Sequence, residues 1–302
     1  MKVTATTKKG DITVDVSSGA TIGNLRKAFA SALKKSIHRV SLKHGEENGN
    51  ARLDDDSVTL ASAKVTTSSK LIFKDLGPQI GYRTVFYAEY GGPIAFVGLI
   101  ALFRAELFTM MGFSDVGGFE TMDWVAKLAV YCWLAHFIKR ELETAFVHKF
   151  SRPTMPLKNL FINCTYYWTF GAVIGWPLCS PNFTAPEENQ VYAGLALFVL
   201  SELGNFYIHL KLASMRPAEL SKKRDIPKGF GFDLVACPNY FFEVMSWVGF
   251  SVMTNVTFSY LFTLLGFYQM SVWAQGKHKN YKKTYDKEYT SLNRKAIIPF
   301  IY

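Results

Sequence analysis

The chain has 302 residues, which is long enough for two domains, and its hydrophobic content is 49%. The net charge of +10 would suit a nucleic-acid ligand, but the basic residues fall in blocks between apolar segments. Because that arrangement is typical of membrane topology, we expect no nucleic-acid partner. The four cysteines form no CxxC pair and have no histidine at metal-ligand spacing, so we expect neither a disulfide framework nor a bound metal.

Residues 1–77 have the pattern of a small soluble domain. Apolar and polar side chains alternate over residues 2–7 and 11–16, and the Lys8-Lys9-Gly10 sequence between them predicts a hairpin turn. Apolar residues then recur at helical spacing after Thr21, which is the expected N-cap of a helix.

Residues 39–43 and 70–74 are predicted as further strands of the same domain. A hairpin, a helix and short strands in this order resemble the ubiquitin-like fold, a small α+β architecture. Because Gly77-Pro78 leads directly into the next segment without a diglycine tail, we expect structural support or partner docking rather than conjugation.

The chain changes character after Pro78, where six apolar segments approach the roughly 20 residues that cross a bilayer as a helix. The segments cover about residues 93–110, 121–138, 160–178, 190–210, 238–254 and 256–275. Charged residues such as Arg104 and Lys127 interrupt two of them, so the sequence does not fix where these segments begin and end. Residues 78–302 are therefore predicted as an α-helical membrane bundle of about six transmembrane helices.

Basic residues are confined to alternate connectors of this bundle. The connectors 139–160 and 211–229 and the tail after residue 276 are rich in Lys and Arg, whereas the connectors 111–120 and 179–189 contain neither. The positive-inside rule then places both termini of a multi-pass protein in the cytosol. The start of the chain is polar and has no apolar signal segment, which agrees with this orientation.

The three basic connectors share one face of the predicted bundle. Topology alone accounts for most of their charge, but recognition of a ligand rich in phosphates, such as NADPH or coenzyme A, is a second interpretation. The chain has neither a GxGxxG turn after a strand nor a GxxxxGK[ST] loop. We therefore expect any nucleotide to be held by a membrane-embedded site rather than by a Rossmann or P-loop domain.

A glycine-rich turn leads into the fifth apolar segment. Gly229 and Gly231 allow the backbone to approach a ligand closely. Asn239, Tyr240 and Glu243 follow at the membrane boundary, where such polar groups are costly unless they bind something. The pattern predicts the rim of a cofactor site that opens to the cytosol; the alternative is a loop followed by a helix that Asn and Glu merely cap.

Polar residues also mark two other segments. Asn205 and His209 lie one helical turn apart in the fourth segment, where either a ligand or an interhelical hydrogen bond would satisfy them. His136, Arg140 and Glu143 share a helical face at the end of the second segment. A solvated juxtamembrane helix is the alternative interpretation of that face.

Taken together, these motifs resemble the steroid 5α-reductase family. The family motifs are His136-x-x-Lys139-Arg140-x-x-Glu143, Asn205 with Arg216, Pro238-Asn-Tyr-x-x-Glu243, and a lysine-rich end that closes in Ile298-Pro-Phe300. Two more, Phe161-x-Asn-Cys-Thr-Tyr-Tyr-Trp168 and Trp273-Ala-x-Gly-Lys-His278, are similar to the very-long-chain trans-2-enoyl-CoA reductase branch, as is the ubiquitin-like domain in front. The resemblance covers essentially the whole chain.

The resemblance implies an oxidoreductase of the endoplasmic reticulum membrane that uses NADPH to reduce very-long-chain trans-2-enoyl-CoA to saturated acyl-CoA, the last step of fatty-acid elongation. It implies Tyr240 as proton donor, with Lys139 and Arg140 serving catalysis or phosphate binding. The positions that it implies for holding NADPH are Asn205, Arg216, Asn239, Glu243, Arg152, Tyr281 and His278. The implied partners are the acyl-CoA substrate, the lipid bilayer and other fatty-acid elongation enzymes.

The implied reaction needs an acid. Reduction of the conjugated thioester places negative charge on the thioester oxygen, and a positioned acid typically contributes about 10²–10⁴-fold. The steroid reductases carry a tyrosine at the position of Phe137, so this chain departs from the pattern for a 3-keto-steroid substrate. Two alternatives stay open: a sterol or polyprenol double-bond reductase, and a non-enzymatic membrane adaptor that presents the ubiquitin-like domain.

Overall fold

The computed structural model describes residues 1–45, 51–150, 153–216 and 225–302. The chain divides into two compact units, the first built mainly from Met1–Tyr82 and the second from most of the chain after Arg83. This division lies close to the predicted boundary between residues 77 and 78.

The first unit contains a four-stranded sheet and one helix. The strands are β1 Lys2–Thr7, β2 Gly10–Asp15, β3 Val40–His44 and β4 Leu71–Asp75, and the helix is α1 Ile22–Ala32. The strand order is β2-β1-β4-β3, in which β1 and β4 are parallel and the two outer pairs are antiparallel. Alternate strand residues and the apolar face of α1 bury one core around Leu25, Phe29 and Leu42.

Two local predictions for this unit are confirmed. The β1–β2 hairpin turns between Thr7 and Gly10, whose φ of +117° suits glycine. Thr21 caps α1, because its side chain accepts the amide of Asn24 while the Asn24 side chain accepts the amide of Thr21. The ubiquitin-like assignment stays a prediction. A separate two-stranded ladder pairs β5 Gln79–Gly81 with β6 Thr154–Pro156.

The described part of the second unit is helical. Its helices are α2 Tyr82–Leu102, α3 Arg104–Met110, α4 Trp124–Leu142, α5 Lys158–Cys179, α6 Glu188–Ser214, α7 Pro238–Thr254 and α8 Thr257–Thr290. Each predicted apolar segment contains a helix, but the bounds differ. The first segment starts earlier and is broken at Phe103, and the last helix continues into the lysine-rich tail.

Arg104 supplies a physical reason for the break. Its buried guanidinium donates to the carbonyl oxygens of Cys179 at 2.7 Å and Gly117 at 2.6 Å, and to the hydroxyl of Thr121 at 3.1 Å. The guanidinium therefore satisfies oxygens at the ends of neighbouring segments, while Arg104 itself begins α3. Among the described helices, α2 and α6 are long and apolar enough to cross a membrane, so the predicted count of six spans stays a prediction.

Aromatic side chains fill the core of the second unit. The ring of Trp133 on α4 contacts the rings of Trp247, Phe250 and Phe262 at centroid distances of 5.2–5.9 Å. Helices α6 and α7 approach each other closely at Gly194 and Gly249, where an added Cβ would lie 2.5 Å from a backbone nitrogen of the other helix. This close crossing sets the register between the polar residues of α6 and α7.

The apolar C-terminal segment folds back onto the start of α7. The amides of Ala236 and Cys237 donate to the carbonyl oxygens of Lys295 at 2.8 Å and Ala296 at 3.1 Å. Arg294 donates to the carbonyl oxygen of Pro227 at 2.7 Å and is buried. The residues just before Tyr240 are therefore held by the end of the chain.

Candidate functional site

A dense group of polar side chains lies where α4, α6 and α7 meet, and we call it the charged cluster. Its members are His136, Lys139, Arg140, Glu143, Glu202, Asn205, His209 and Glu243. The residues from α4 and the turn after it recur at a spacing of three or four, as do those from α6, so each helix presents one polar stripe. The predicted shared face of His136, Arg140 and Glu143 is confirmed.

His136 is held between two carboxylates. Its Nδ1 lies 2.9 Å from Oε1 of Glu202, and its Nε2 lies 3.3 Å from Oε1 of Glu243. An imidazole that faces acceptors on both sides donates from both nitrogens and carries a positive charge. The side chain is only 2% exposed, and its two carboxylate partners compensate the free-energy cost of burying its charge.

Lys139 joins the same carboxylate to an amide. Its Nζ lies 2.8 Å from Oε2 of Glu202 and donates to Oδ1 of Asn205 at 2.9 Å. Asn205 is fully buried, and its amide nitrogen donates to the carbonyl oxygen of Asn239 at 2.9 Å and to Oε2 of Glu243 at 3.1 Å. The predicted residues Lys139, Asn205, Asn239 and Glu243 are thus brought together.

Arg140 forms the other half of the cluster. Its guanidinium donates to Oε2 of Glu143 at 2.5 Å and to the hydroxyl of Tyr90 on α2 at 3.1 Å. It also lies 3.1 Å from Nδ1 of His209. Arg140 therefore ties α2, α4 and α6 together, and the three carboxylates of the cluster are balanced by Lys139, Arg140 and His136.

Two titratable groups follow the end of α4, beyond the apolar segment. Burial opposes ionisation of Glu143, but a hydrogen bond with His209 and the charge of Arg140 outweigh it and lower the pKa of Glu143 to about 2. Burial, with the charge of Arg140 nearby, lowers the pKa of His148 to about 3. At neutral pH Glu143 is therefore an anion, whereas His148 is a neutral ring.

Glu143, His148 and His209 also place three potential metal-ligand atoms within 4.8 Å of one another. Arg140 already contacts two of these groups, at Oε2 of Glu143 and Nδ1 of His209. A cation bound between them would have to displace this guanidinium and lie beside its positive charge. The arrangement therefore favours a network in which Arg140 neutralises the Glu143 carboxylate over a metal centre.

Tyr240 lies on α7, three residues before Glu243, and its side chain packs against α8. Its ring contacts Trp273 of α8 at a centroid distance of 6.2 Å, and Nζ of Lys277 lies over the same ring, 4.5 Å from its centroid. Lys139 and Arg140 instead make the contacts described above. Among the described residues, Lys277 is thus the cation that lies over the ring of the predicted acid, and the sequence assigned it no role.

The remaining predicted cofactor residues lie outside the charged cluster. Nδ1 of His278 lies 2.8 Å from the hydroxyl of Tyr289, on whose ring Tyr281 stacks at 5.1 Å. Arg216, just beyond α6, donates to the carbonyl oxygen of Lys149. Arg152 lies outside the described residues.

Sequence reasoning missed several members of this region. Glu202 precedes Asn205 by three residues within an apolar segment, and that spacing was a usable signal. Glu89 is 3% exposed and accepts a 2.6 Å hydrogen bond from Asn163 of α5. No local sequence pattern could have identified Tyr90, because only the tertiary fold brings α2 to Arg140.

Comparison with known proteins places this geometry in context. The family model described as 3-oxo-5-alpha-steroid 4-dehydrogenase matches residues 153–302. The chain is 38% identical to the very-long-chain enoyl-CoA reductase of Dictyostelium discoideum, over 100% of this chain and 99% of the relative. A Trypanosoma brucei brucei protein that carries the name enoyl-CoA reductase is 42% identical over the full length of both chains. The trans-2,3-enoyl-CoA reductase-like protein of Mus musculus is 35% identical, over 98% of this chain and 82% of the relative.

Proposed function

Because this chain belongs to the enoyl-CoA reductase family, we propose that it reduces very-long-chain trans-2-enoyl-CoA to the saturated acyl-CoA. The observation that carries the proposal is the full-length similarity to relatives with that name, together with a polar site among apolar helices that contains the family motifs. The chain is accordingly a membrane protein. The steroid-type alternative is disfavoured because Phe137 stands where a steroid reductase has its tyrosine, and it is fully buried among aromatic rings.

The residues around Asn205 suit a nicotinamide dinucleotide, and we propose NADPH as the reductant. Glu243, whose side chain is 18% exposed, offers a carboxylate that can accept from a carboxamide, and Asn205 holds this carboxylate through a 3.1 Å hydrogen bond. Arg216 lies beyond the end of the same helix, and its guanidinium suits a phosphate. Ser214 lies nine positions after Asn205, about 13.5 Å along the helix, which is within the reach of an extended dinucleotide.

When bound, NADPH supplies a hydride for the β-carbon of the substrate. The role proposed for Tyr240 is to give its phenolic proton to the α-carbon side of the resulting enolate. Tyr240 is partly buried near the start of α7, one turn before Glu243, so the phenol and the polar stripe belong to one rigid element. Lys139 and Arg140 would keep Asn205 and Glu143 in place, since they donate to these side chains directly, and Asn205 in turn donates to Glu243.

We further propose a location in the endoplasmic reticulum membrane with both termini in the cytosol, supported by the distribution of basic connectors. The first unit would be a ubiquitin-like domain, supported by its strand order and the parallel β1–β4 pair. A place in fatty-acid elongation, beside other enzymes of that pathway, follows from the substrate class.

The test uses purified protein in detergent with a long-chain trans-2-enoyl-CoA and NADPH. Wild-type protein should oxidise NADPH only when the enoyl-CoA is present, and Tyr240→Phe should lose nearly all turnover while it still binds NADPH. Tyr260→Phe, on the exposed side of α8, is the matched control and should keep wild-type turnover. Wild-type turnover in Tyr240→Phe would remove the proposed acid. If a sterol or polyprenol were reduced in preference to the enoyl-CoA in a competition assay, the proposed substrate class would be wrong.

A further inference from the structure

The one cation that lies against Tyr240 is Lys277, within the part of the chain that the structure describes. Its Nζ is 4.5 Å from the centroid of the Tyr240 ring. Trp273 lies one turn earlier on α8 and contacts the same ring at 6.2 Å. Because residues at a spacing of four share a helical face, Trp273 and Lys277 approach Tyr240 as one surface.

Lys277 differs from the cations of the charged cluster in its partners. Lys139 is paired with Glu202, and Arg140 is paired with Glu143. Among the described residues Lys277 forms no ion pair with a carboxylate, and its principal contact is the aromatic face of Tyr240. Its positive charge is therefore not neutralised locally and acts on the phenol.

We propose that Lys277 is a positioning residue for Tyr240, which orients the phenol and stabilises the phenolate that forms when the proton leaves. This inference rests on the proposed function. In the step concerned, the O–H bond of Tyr240 breaks and a C–H bond forms at the α-carbon of the enolate. The electron pair of the O–H bond stays on the phenolate oxygen, beside the ammonium, until water restores the proton.

The chemistry of the pair gives this arrangement its effect. A phenolate beside an ammonium is favoured over an isolated phenolate, so the positive charge lowers the barrier to proton transfer. Lys277 is exposed and Tyr240 is partly exposed, so a substrate can reach the pair.

The test compares Lys277→Met, Lys277→Arg and Lys279→Met in the full chain with enoyl-CoA and NADPH. Lys277→Met removes the charge and should lower kcat about 10–100-fold with little change in KM for either substrate. Lys277→Arg should restore most of kcat, and Lys279→Met, on the same helix, should behave as wild type.

Two further comparisons distinguish a failure of this inference from a failure of the proposed function. If Lys277 acts through Tyr240, Lys277→Met should cost nothing further in a Tyr240→Phe background. An active wild type with an inactive Tyr240→Phe, but with an unchanged kcat or only a raised KM in Lys277→Met, overturns the role of Lys277 alone. A wild type that does not reduce enoyl-CoA overturns the proposed function itself.

Discussion

The buried charges of the charged cluster are tolerated only because they pair with one another. Glu143 is 1% exposed, and its Oε2 is bonded by Arg140 at 2.5 Å. Removing one member of a buried pair leaves an uncompensated charge, which costs far more than the pair itself contributes. The site is therefore expected to respond to mutation through stability as well as through turnover.

Arg140→Leu tests this expectation. The change should lower the free energy of unfolding by about 3–5 kcal/mol, because it strands the carboxylate of Glu143 in the core. Thermal unfolding of the purified protein in detergent measures the loss. Arg83→Leu, at an exposed position of α2, is the matched control. An equal effect of the two substitutions would show that the Arg140 pair does not stabilise the fold.

Asp75 gives the first unit a pH dependence. Arg39 donates to both of its oxygens, at 3.0 and 2.7 Å, and holds the pKa of this carboxyl well below its ordinary value. The stabilisation is therefore present above about pH 4, the usual range of an unfolded aspartate, and is lost as the pH falls through the folded pKa. The protection factors of the β3 and β4 amides, which are corrected for the intrinsic pH dependence of exchange, should fall on acidification.

The variant Asp75→Asn should already exchange faster at neutral pH and should respond less to acid over this range. Asp11→Asn, an exposed change on β2, should keep the wild-type response. The same acid response in Asp75→Asn as in the wild type would exclude this carboxyl as its source.

At the level of elements, the crossing of α6 and α7 positions the site. Gly194 and Gly249 allow the two backbones to touch, and Asn205 can then reach both Asn239 and Glu243. A side chain at either glycine would push the helices apart. The alignment of these polar groups consequently depends on two small residues outside the charged cluster.

Gly249→Ala should destabilise the protein by about 1–3 kcal/mol through overpacking, and it should also weaken NADPH binding. Gly98→Ala is the matched control, because Gly98 lies inside α2 and an added Cβ there meets no atom within 4 Å. The control should be neutral or slightly stabilising. Unfolding midpoints and cofactor titrations measure both effects. Equal stability and equal NADPH binding in the two variants would show that the close crossing does not position the residues of the site.

Local patterns were enough to predict the elements but not all of their neighbours. Alternation and capping identified the β1–β2 hairpin and the start of α1, and hydropathy identified a helix in each apolar segment. Helical spacing grouped His136 with Arg140 and Glu143. The partners that come from distant segments, such as Tyr90 and Lys277, could not be deduced, because no local period encodes which helix lies opposite.

On the scale of the whole molecule, the described residues of the candidate site all belong to the second unit. Deletion of residues 1–77 should therefore leave kcat/KM for enoyl-CoA within a few-fold of wild type in detergent. Side-by-side assays of the two forms at equal folded concentration measure this. Loss of turnover in a truncated protein that remains folded would give the first unit a catalytic role.

The central claim concerns the reaction itself, and isotope transfer tests it most directly. The purified protein is supplied with a long-chain trans-2-enoyl-CoA and NADPH deuterated at the transferable position of the nicotinamide ring, and mass spectrometry locates the label in the product. The account predicts saturated acyl-CoA with one deuterium on the β-carbon and, in a parallel reaction in heavy water, one solvent deuterium on the α-carbon. An enoyl-CoA that remains unreduced, or a product without cofactor label on the β-carbon, would contradict it.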